Sequence, residues 1–291
     1  MNADKFNRLV TGFYLLSFFI FLLGPLLVMG ASAFNTPSSP QVWPIEGLTL
    51  RWFGELFRDR EMIEGLKTSV VIGLCVAALS VPMALAGALV MTQLLKTSRS
   101  YYYFLAVTPV LTPGIVIGIA TVVFWRDFTG LVGLRGLLYN GTVLTVIAQS
   151  SFVTSYCMLI ILSRLQRFDI SQEEAALDLG ASYPQVFRDV LLPFLRPALL
   201  SSALLAFLTS FENYNATTFA ILSEKTLTTV LASHVRTGSS PTISALATII
   251  VTLTIIVALG FEIWKRQAQK RAAIRLKAER DPEAVARLVV A

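Results

Sequence analysis

Apolar positions in this chain gather into long uninterrupted runs, and charges are confined mostly to the gaps between them. Residues 68–95, 100–125, 136–163 and 237–261 carry no charged side chain, and each exceeds the roughly 20 residues a helix needs to cross a hydrocarbon core. Residues 9–33 are also uncharged, and 197–223 hold one acid, Glu212. The pattern predicts an all-α integral membrane protein with six transmembrane helices. Lys5 and Arg8 before the first run, with Ala31, Ser32 and Ala33 at its end, also fit a cleavable signal peptide. The run outlasts the roughly 7–15 apolar residues of such a peptide, so an uncleaved anchor is expected.

Composition agrees: 55 % of the 291 residues are hydrophobic and 14 % charged, against roughly 25 % charged in a soluble domain. The formal net charge of +6 does not point to nucleic acid, because Lys and Arg are dispersed between apolar blocks instead of lining one soluble face. Their distribution reads as topology. Segments holding Lys5, Arg8, Lys96, Arg99, Arg164, Arg167, Arg188, Arg196 and the region after Trp264 total sixteen Lys and Arg, while the opposite set, from Arg51 to Arg236, holds eight. The positive-inside rule makes the first set cytoplasmic, with both termini inside.

Between the first two spans, Pro37, Pro40 and Pro44 mark a loop, and residues 50–66 then alternate Trp52, Phe53, Leu56, Phe57, Ile63 and Leu66 with charges, as a helix lying in the membrane interface would. Pro82, Pro109 and Pro113 interrupt spans two and three, where neighbouring helices can satisfy the freed backbone groups. Cys75 and Cys157 lie inside spans and read as small packing residues. His234 is the sole histidine, and one imidazole does not make a metal site. Residues 265–291 form a basic tail whose helix-like pattern suits attraction to anionic membrane lipid. The expected organisation is one membrane domain with a core at 66–264, a loop at 164–196 and this tail.

The loop at 164–196 has the grammar of two short helices. Ser171 and Glu174 stand at capping-box spacing, which predicts a helix from Gln172 with Glu173 and Glu174 in its first turn. Gly180 permits the left-handed turn that ends it. Ser182 and Gln185 repeat the capping spacing, and Pro193 is expected to close a second helix.

Glu174-Ala175-Ala176, then Gly180, Val190, Leu192 and Pro193 match the spacing of the EAA loop of ATP-binding-cassette importer permeases, with Val190 in place of the usual Ile. The resemblance implies the type I (MetI-like) permease fold. It also implies that the first short helix couples to an ATP-hydrolysing subunit through Glu174, Ala175, Ala176, Gly180, Leu192 and Pro193. No G-x-x-x-x-G-K-[ST] phosphate loop occurs in the chain, so ATP and magnesium are expected on that partner, with no cofactor here. Two such ATPases, a second permease of different sequence and a periplasmic solute-binding protein are implied, in a bacterial inner membrane.

Ser240-Pro241 and residues 245–249, like 174–202, resemble spermidine/putrescine-type permeases most. Where those permeases often carry an acidic pair after a Ser in span five, this chain has Ser210, Phe211, Glu212 and Asn213. The resemblance favours a polyamine solute and leaves aminophosphonates, other amines, ferric ion and thiamine as alternatives. Glu212 falls roughly 22 Å along a helix entering at Pro197, and an acid inside a span marks a function by default. Ser210, Asn213 and Thr217 are expected to share its face as a polar stripe along a translocation path; the alternative is that Glu212 bonds another subunit or interfacial water. An ion-coupled carrier could also use Glu212 but leaves the two-helix loop unexplained, and a membrane enzyme would need more clustered acids and histidines.

Overall fold

In the computed structural model, which describes residues 3–238 and 240–280, helices account for every regular element among the described residues. In chain order they are α1 (Ala3–Ser32), α2 (Arg51–Arg58), α3 (Arg60–Gln93), α4 (Lys96–Leu111), α5 (Gly114–Val132), α6 (Arg135–Leu138), α7 (Gly141–Leu165), α8 (Ser171–Asp178) and α9 (Tyr183–Val186). A π turn (Phe187–Leu191) leads into α10 (Leu192–Phe211), followed by α11 (Thr217–Ala220), α12 (Leu227–Thr237) and α13 (Pro241–Arg280). Five segments are long and apolar enough to cross a membrane: Asn7–Ser32, Arg60–Gln93, Gly114–Val132, Gly141–Leu165 and Tyr183–Phe211. The start of α13, Pro241–Ile256, adds a shorter apolar helix where the sixth span is expected.

The helices form two compact units, one from the two ends of the chain, through Arg58 and from Gly238 onward, and one from Asp59–Thr237. In the first, α13 packs on α1 and α2. Ala33, Trp52 and Ala245 make its small core, the Trp52 indole N–H donates to the Asn35 carbonyl at 2.7 Å, and the Ser32 hydroxyl donates to Ser244 at 2.9 Å. The outward residues of α1, including Phe13, Leu16, Phe21 and Leu27, are exposed, as expected of a helix whose solvent is lipid. Residues 281–291 of the predicted tail lie outside the described residues; up to Arg280 the backbone continues α13.

The second unit is organised by α3, α7 and α10, each packed on the other two. Apolar attraction between helices is weak when the solvent is hydrocarbon, so close approach of small residues takes its place. α3 supplies a buried stripe of Gly65, Ser69, Gly73, Val76, Ser80, Ala84 and Ala88 at helical spacing, and a β-carbon on Gly73 would stand 2.9 Å from the Phe207 ring. Cys157 is fully buried in this core, whereas Cys75 is exposed.

Three boundaries depart from the sequence expectation. The run at 100–125 is two helices: Thr112 is forced into extended backbone (φ −84°, ψ 130°) by the proline that follows, so α4 ends and α5 begins past Pro113. Pro82 leaves α3 helical throughout. The interface helix expected over 50–66 is only α2, with Trp52 and Leu56 buried. Asp59 then accepts the Met62 N–H at 3.1 Å and starts α3, so Ile63 and Leu66 belong to a long helix.

The glycines that admit neighbouring backbone carry the sharpest packing constraint. A β-carbon on Gly118 of α5 would lie 2.5 Å from the Ala216 carbonyl oxygen, and one on Gly141 of α7 would collide with the carbonyl of Ile221. Gly141→Ala is expected to destabilise the protein by about 3 kcal/mol, the upper end for overpacking. Gly130→Ala, with open space around it, should be neutral or stabilising by up to about 1 kcal/mol. Thermal melts of the two detergent-solubilised variants distinguish these outcomes.

Candidate functional site

At one end of the second unit the chain leaves α7 and forms α8 and α9. Sequence spacing pointed to Ser171 as the cap of α8, but the cap is supplied two residues earlier: the Asp169 carboxylate accepts the Ser171 N–H at 3.0 Å. Hydrogen bonds from the Ser171 side chain and backbone hold the Asp169 carboxyl below the usual aspartate range, keeping negative charge at a helix start. α8 ends as the sequence predicts. Gly180 adopts φ +88°, its N–H donates to Leu177 at 2.9 Å, and the Ala181 N–H donates to Ala176 at 3.1 Å; this pair of bonds is the Schellman closure. The next helix is capped as spaced, the Ser182 N–H donating to the Gln185 side chain at 2.7 Å.

Pro193 does not close that helix. Phe187–Leu191 widens into a π turn, in which the Leu192 N–H reaches back to the Phe187 carbonyl, and α10 continues with Pro193 in its first turn. A π turn relieves the clash and the missing donor that proline brings to an α-helix. α9, the turn and α10 therefore form one 29-residue helical segment. At its base, the Arg164 guanidinium lies 4.1 Å from the Phe194 ring centre and donates to the Phe194 carbonyl at 3.3 Å, with Phe168 packed on the same ring. The sequence does not signal this clamp, because an Arg directly after an apolar run reads first as a topology charge.

Glu174, Ala175 and Gly180 are exposed, Ala176 and Leu192 half-buried, and Pro193 exposed. Large apolar side chains accompany them in the open, Leu179 at 90 %, Tyr183 at 72 % and Ile170 at 65 % exposure, on a projection otherwise too polar to enter lipid. A cleft of about 680 Å³ runs beneath it, bounded by Gln93, Arg99, Glu173, Glu174 and Phe187. Apolar residues exposed on a polar projection suit contact with a protein partner.

The opposite end holds the second constellation. α10 stops at Phe211, so residues 212–216 leave the helix instead of extending a polar stripe along it. Glu212 is exposed and caps α10, and Asn213 and Tyr214 are half-buried. Ser210 and Thr217 point elsewhere: both are buried and both bond Gln149 of α7. The Ser210 hydroxyl donates to the Gln149 amide oxygen, the Gln149 amide donates to Thr217 at 2.8 Å, and Thr217 donates to the Asn213 carbonyl at 2.7 Å. The sequence brings the four predicted residues together, but only Glu212 and parts of Asn213 face outward. Gln149 was missed; its signal was an amide inside a charge-free run.

The level of this turn is set by neighbouring bonds. Thr228 donates to the Asn213 carbonyl at 3.2 Å, and the adjoining Leu227 N–H donates to Ser69 at 2.9 Å. Ser69 lies two residues beyond Lys67, the last charge before the apolar stretch of α3. Glu212 thus stands at the rim of the apolar band, where a carboxylate costs far less than at its middle. Around this rim Lys225 pairs with Glu61, Arg236 donates to the Tyr214 hydroxyl at 3.1 Å, and a cavity of about 380 Å³ opens between these groups. His234 lies 3.9 Å from Glu61, and among the described residues no group of His, Cys, Asp and Glu could hold a metal.

A membrane bundle with a two-helix projection at one end and a hydrogen-bonded polar turn at the other has the make-up of a membrane permease. The chain belongs to the family of binding-protein-dependent transport system inner membrane components, whose profile matches residues 78–271, and is the permease subunit of an ATP-binding-cassette importer, not itself an enzyme. It is similar to the putrescine transport system permease protein PotI of Escherichia coli K12, 33 % identical over 254 residues that cover 86 % of this chain and 88 % of that one. The spermidine/putrescine transport system permease protein PotC of the same strain is 23 % identical over 265 residues, covering 91 % and 97 %. Among solved structures, a chain of a bacterial ABC transporter that imports alginate superposes with a TM-score of 0.62 at 14 % identity, covering 91 % of this chain and 98 % of that one. The shared architecture is the type I, MetI-like importer permease fold.

The α8 projection is held by local bonds, and Gly180 is their weakest point to substitution. Gly180→Val forces a branched residue into the left-handed region at roughly 1–2 kcal/mol. Amides of Ala176–Ala181 are expected to exchange with deuterium about tenfold faster while those of α7 do not change; hydrogen-exchange mass spectrometry reads both.

Proposed function

We propose that the chain is a polyamine permease that forms half of a translocation path for putrescine or a close relative, with Glu212 meeting the cationic solute. The observation that carries this reading is the likeness to PotI along 86 % of the chain, supported by an exposed carboxylate where the path would open. A polyamine is a flexible chain with a cationic amine at each end, and Glu212 offers one counter-charge with Tyr214 and Asn213 beside it to orient an ammonium. One acid in place of two suits a grip that is weak enough to release, since exposed charge pairs contribute roughly 0.2–1 kcal/mol.

In this reading residues 66–264 act as one permease domain. Glu174, Ala175, Ala176 and Gly180 present α8 to a cleft on an ATPase, while Leu192 and Pro193 lie where the projection joins α10. ATP and magnesium bind that ATPase and no cofactor binds here. The assembly contains two ATPase subunits, a second permease of different sequence and a periplasmic solute-binding protein. Both termini and α8 are cytoplasmic, as the Lys and Arg bias indicates, and the Glu212 turn faces the periplasm.

Two measurements test this. In the reconstituted importer with its binding protein, Glu212→Gln is expected to raise the half-saturating putrescine concentration by about fivefold, the equivalent of the loss of one partly exposed charge pair. Wild-type uptake and wild-type putrescine-stimulated ATP hydrolysis in this variant would remove Glu212 from the path. For the coupling end, the double variant Glu174→Ala, Gly180→Val should lose most of the ATPase that co-purifies with the wild-type permease; an unchanged complex would refute docking through α8.

A further inference from the structure

We infer that Gln149 is the positioning residue of the solute-facing turn: through Ser210 and Thr217 it fixes where Glu212 and Asn213 stand, and so sets the concentration at which solute is taken up. The second half of this statement rests on the reading of Glu212 given above. The first half rests on geometry alone.

The turn at 212–216 joins α10 to α11; its own hydrogen bonds, from the Ala216 N–H to the Asn213 side chain and from Thr217 to the Asn213 carbonyl, shape it, and the bond from Thr228 ties it to α12. Its placement comes from outside. Gln149 is 1 % exposed and spends both halves of its amide on the two sides of the turn. Its oxygen accepts from Ser210, two residues before Glu212, and its nitrogen donates to Thr217, five residues after it, at 2.8 Å. Thr217 passes the constraint on, donating to the Asn213 carbonyl at 2.7 Å, while the Asn213 side chain accepts the Ala216 N–H at 3.1 Å. One side chain on α7 thus spans the mouth of the turn.

General polarity of α7 does not account for this. Thr145 and Ser150 are also buried there, and their hydroxyls find no hydrogen-bond partner. Leucine at 149 would match the size but leave Ser210 and Thr217 each short of a buried partner, a penalty that unpaired polar groups incur in full. The Glu212 carboxylate makes no hydrogen bond to Gln149, Ser210 or Thr217, so the effect of Gln149 on solute is indirect.

The test uses the complete importer in nanodiscs, with putrescine as solute. Nitroxide labels at Glu64→Cys and Asn215→Cys, in a Cys75→Ser background, report the position of the turn against α3 by pulsed electron resonance. With Gln149→Leu the distance distribution is expected to broaden about twofold, and half-saturating putrescine to rise about fivefold with maximal uptake changed less than twofold. Thr217→Val, a milder change that serves if Gln149→Leu fails to assemble, should shift both readouts the same way. The double variant should be no worse than Gln149→Leu, because the two residues act as one unit. An unchanged distance distribution in both single variants overturns the inference, as does a broadened one with unchanged half-saturation while Glu212→Gln raises it. If Glu212→Gln is normal and the distribution still broadens, the role of Gln149 in fixing the turn is upheld and the assignment of Glu212 to the path is what fails.

Discussion

A backbone amide in hydrocarbon has no water to turn to, and the second unit is arranged around that constraint. Helices satisfy it internally, so long helices are the default and each interruption needs a local solution. The three interruptions at membrane depth or at its edge are solved in three ways. At Thr112 and Pro113 a proline removes one donor and the chain restarts within two residues. At Phe187–Leu191 the hydrogen-bond ring widens and the helix never stops. At 212–216 side chains supply the missing partners: Thr217 of α11 and Thr228 of α12 donate to the Asn213 carbonyl, and the Asn213 side chain accepts the Ala216 N–H. At the last, the exposed Glu212 follows directly on the end of α10.

The two ends of the molecule are consequently specified by different physics. The α8 projection is closed by neighbours in sequence: Asp169 with Ser171, Gly180 with Leu177, Ser182 with Gln185. Its shape is therefore set by local bonds. The turn that carries Glu212 depends on contacts 61 and 68 residues away in sequence and on glycines that let α5 and α7 approach it. Its geometry therefore follows the packing of the bundle, so a rearrangement of α7, α10 or α12 would move Glu212 with it.

These differences decide how much could be read from the sequence. Six apolar runs were visible because lipid demands them, and the Gly180 turn was visible because only glycine takes that backbone conformation cheaply. Local capping was half visible: Asp169 and Ser171 both suit a helix start, and spacing alone favoured the wrong one. The split of the third run was signalled by Pro113, but a proline in a long apolar run can also be absorbed, as Pro82 is. The stripe expected through Ser210, Glu212, Asn213 and Thr217 assumed a continuous helix, and nothing in the local sequence shows that α10 ends at Phe211. Gln149 stands out locally only as an amide in a charge-free run, and its partners meet it only after three helices have packed.

The π turn has a further consequence. It places one extra residue in a helical segment that is otherwise in register from Tyr183 to Phe211, and one residue of an α-helix corresponds to about 100° of rotation. Because the turn widens by one residue, that rotation is absorbed, and α10 keeps the phase of an uninterrupted α-helix. A chain one residue shorter between Phe187 and Leu191 would close as ordinary α-helix and leave Ala198, Ser202, Ala206 and Ser210 packed inward as they are now. A chain of the present length without the widening would turn them by about 100°. The π turn works, in this sense, as an angular correction for the helix it feeds.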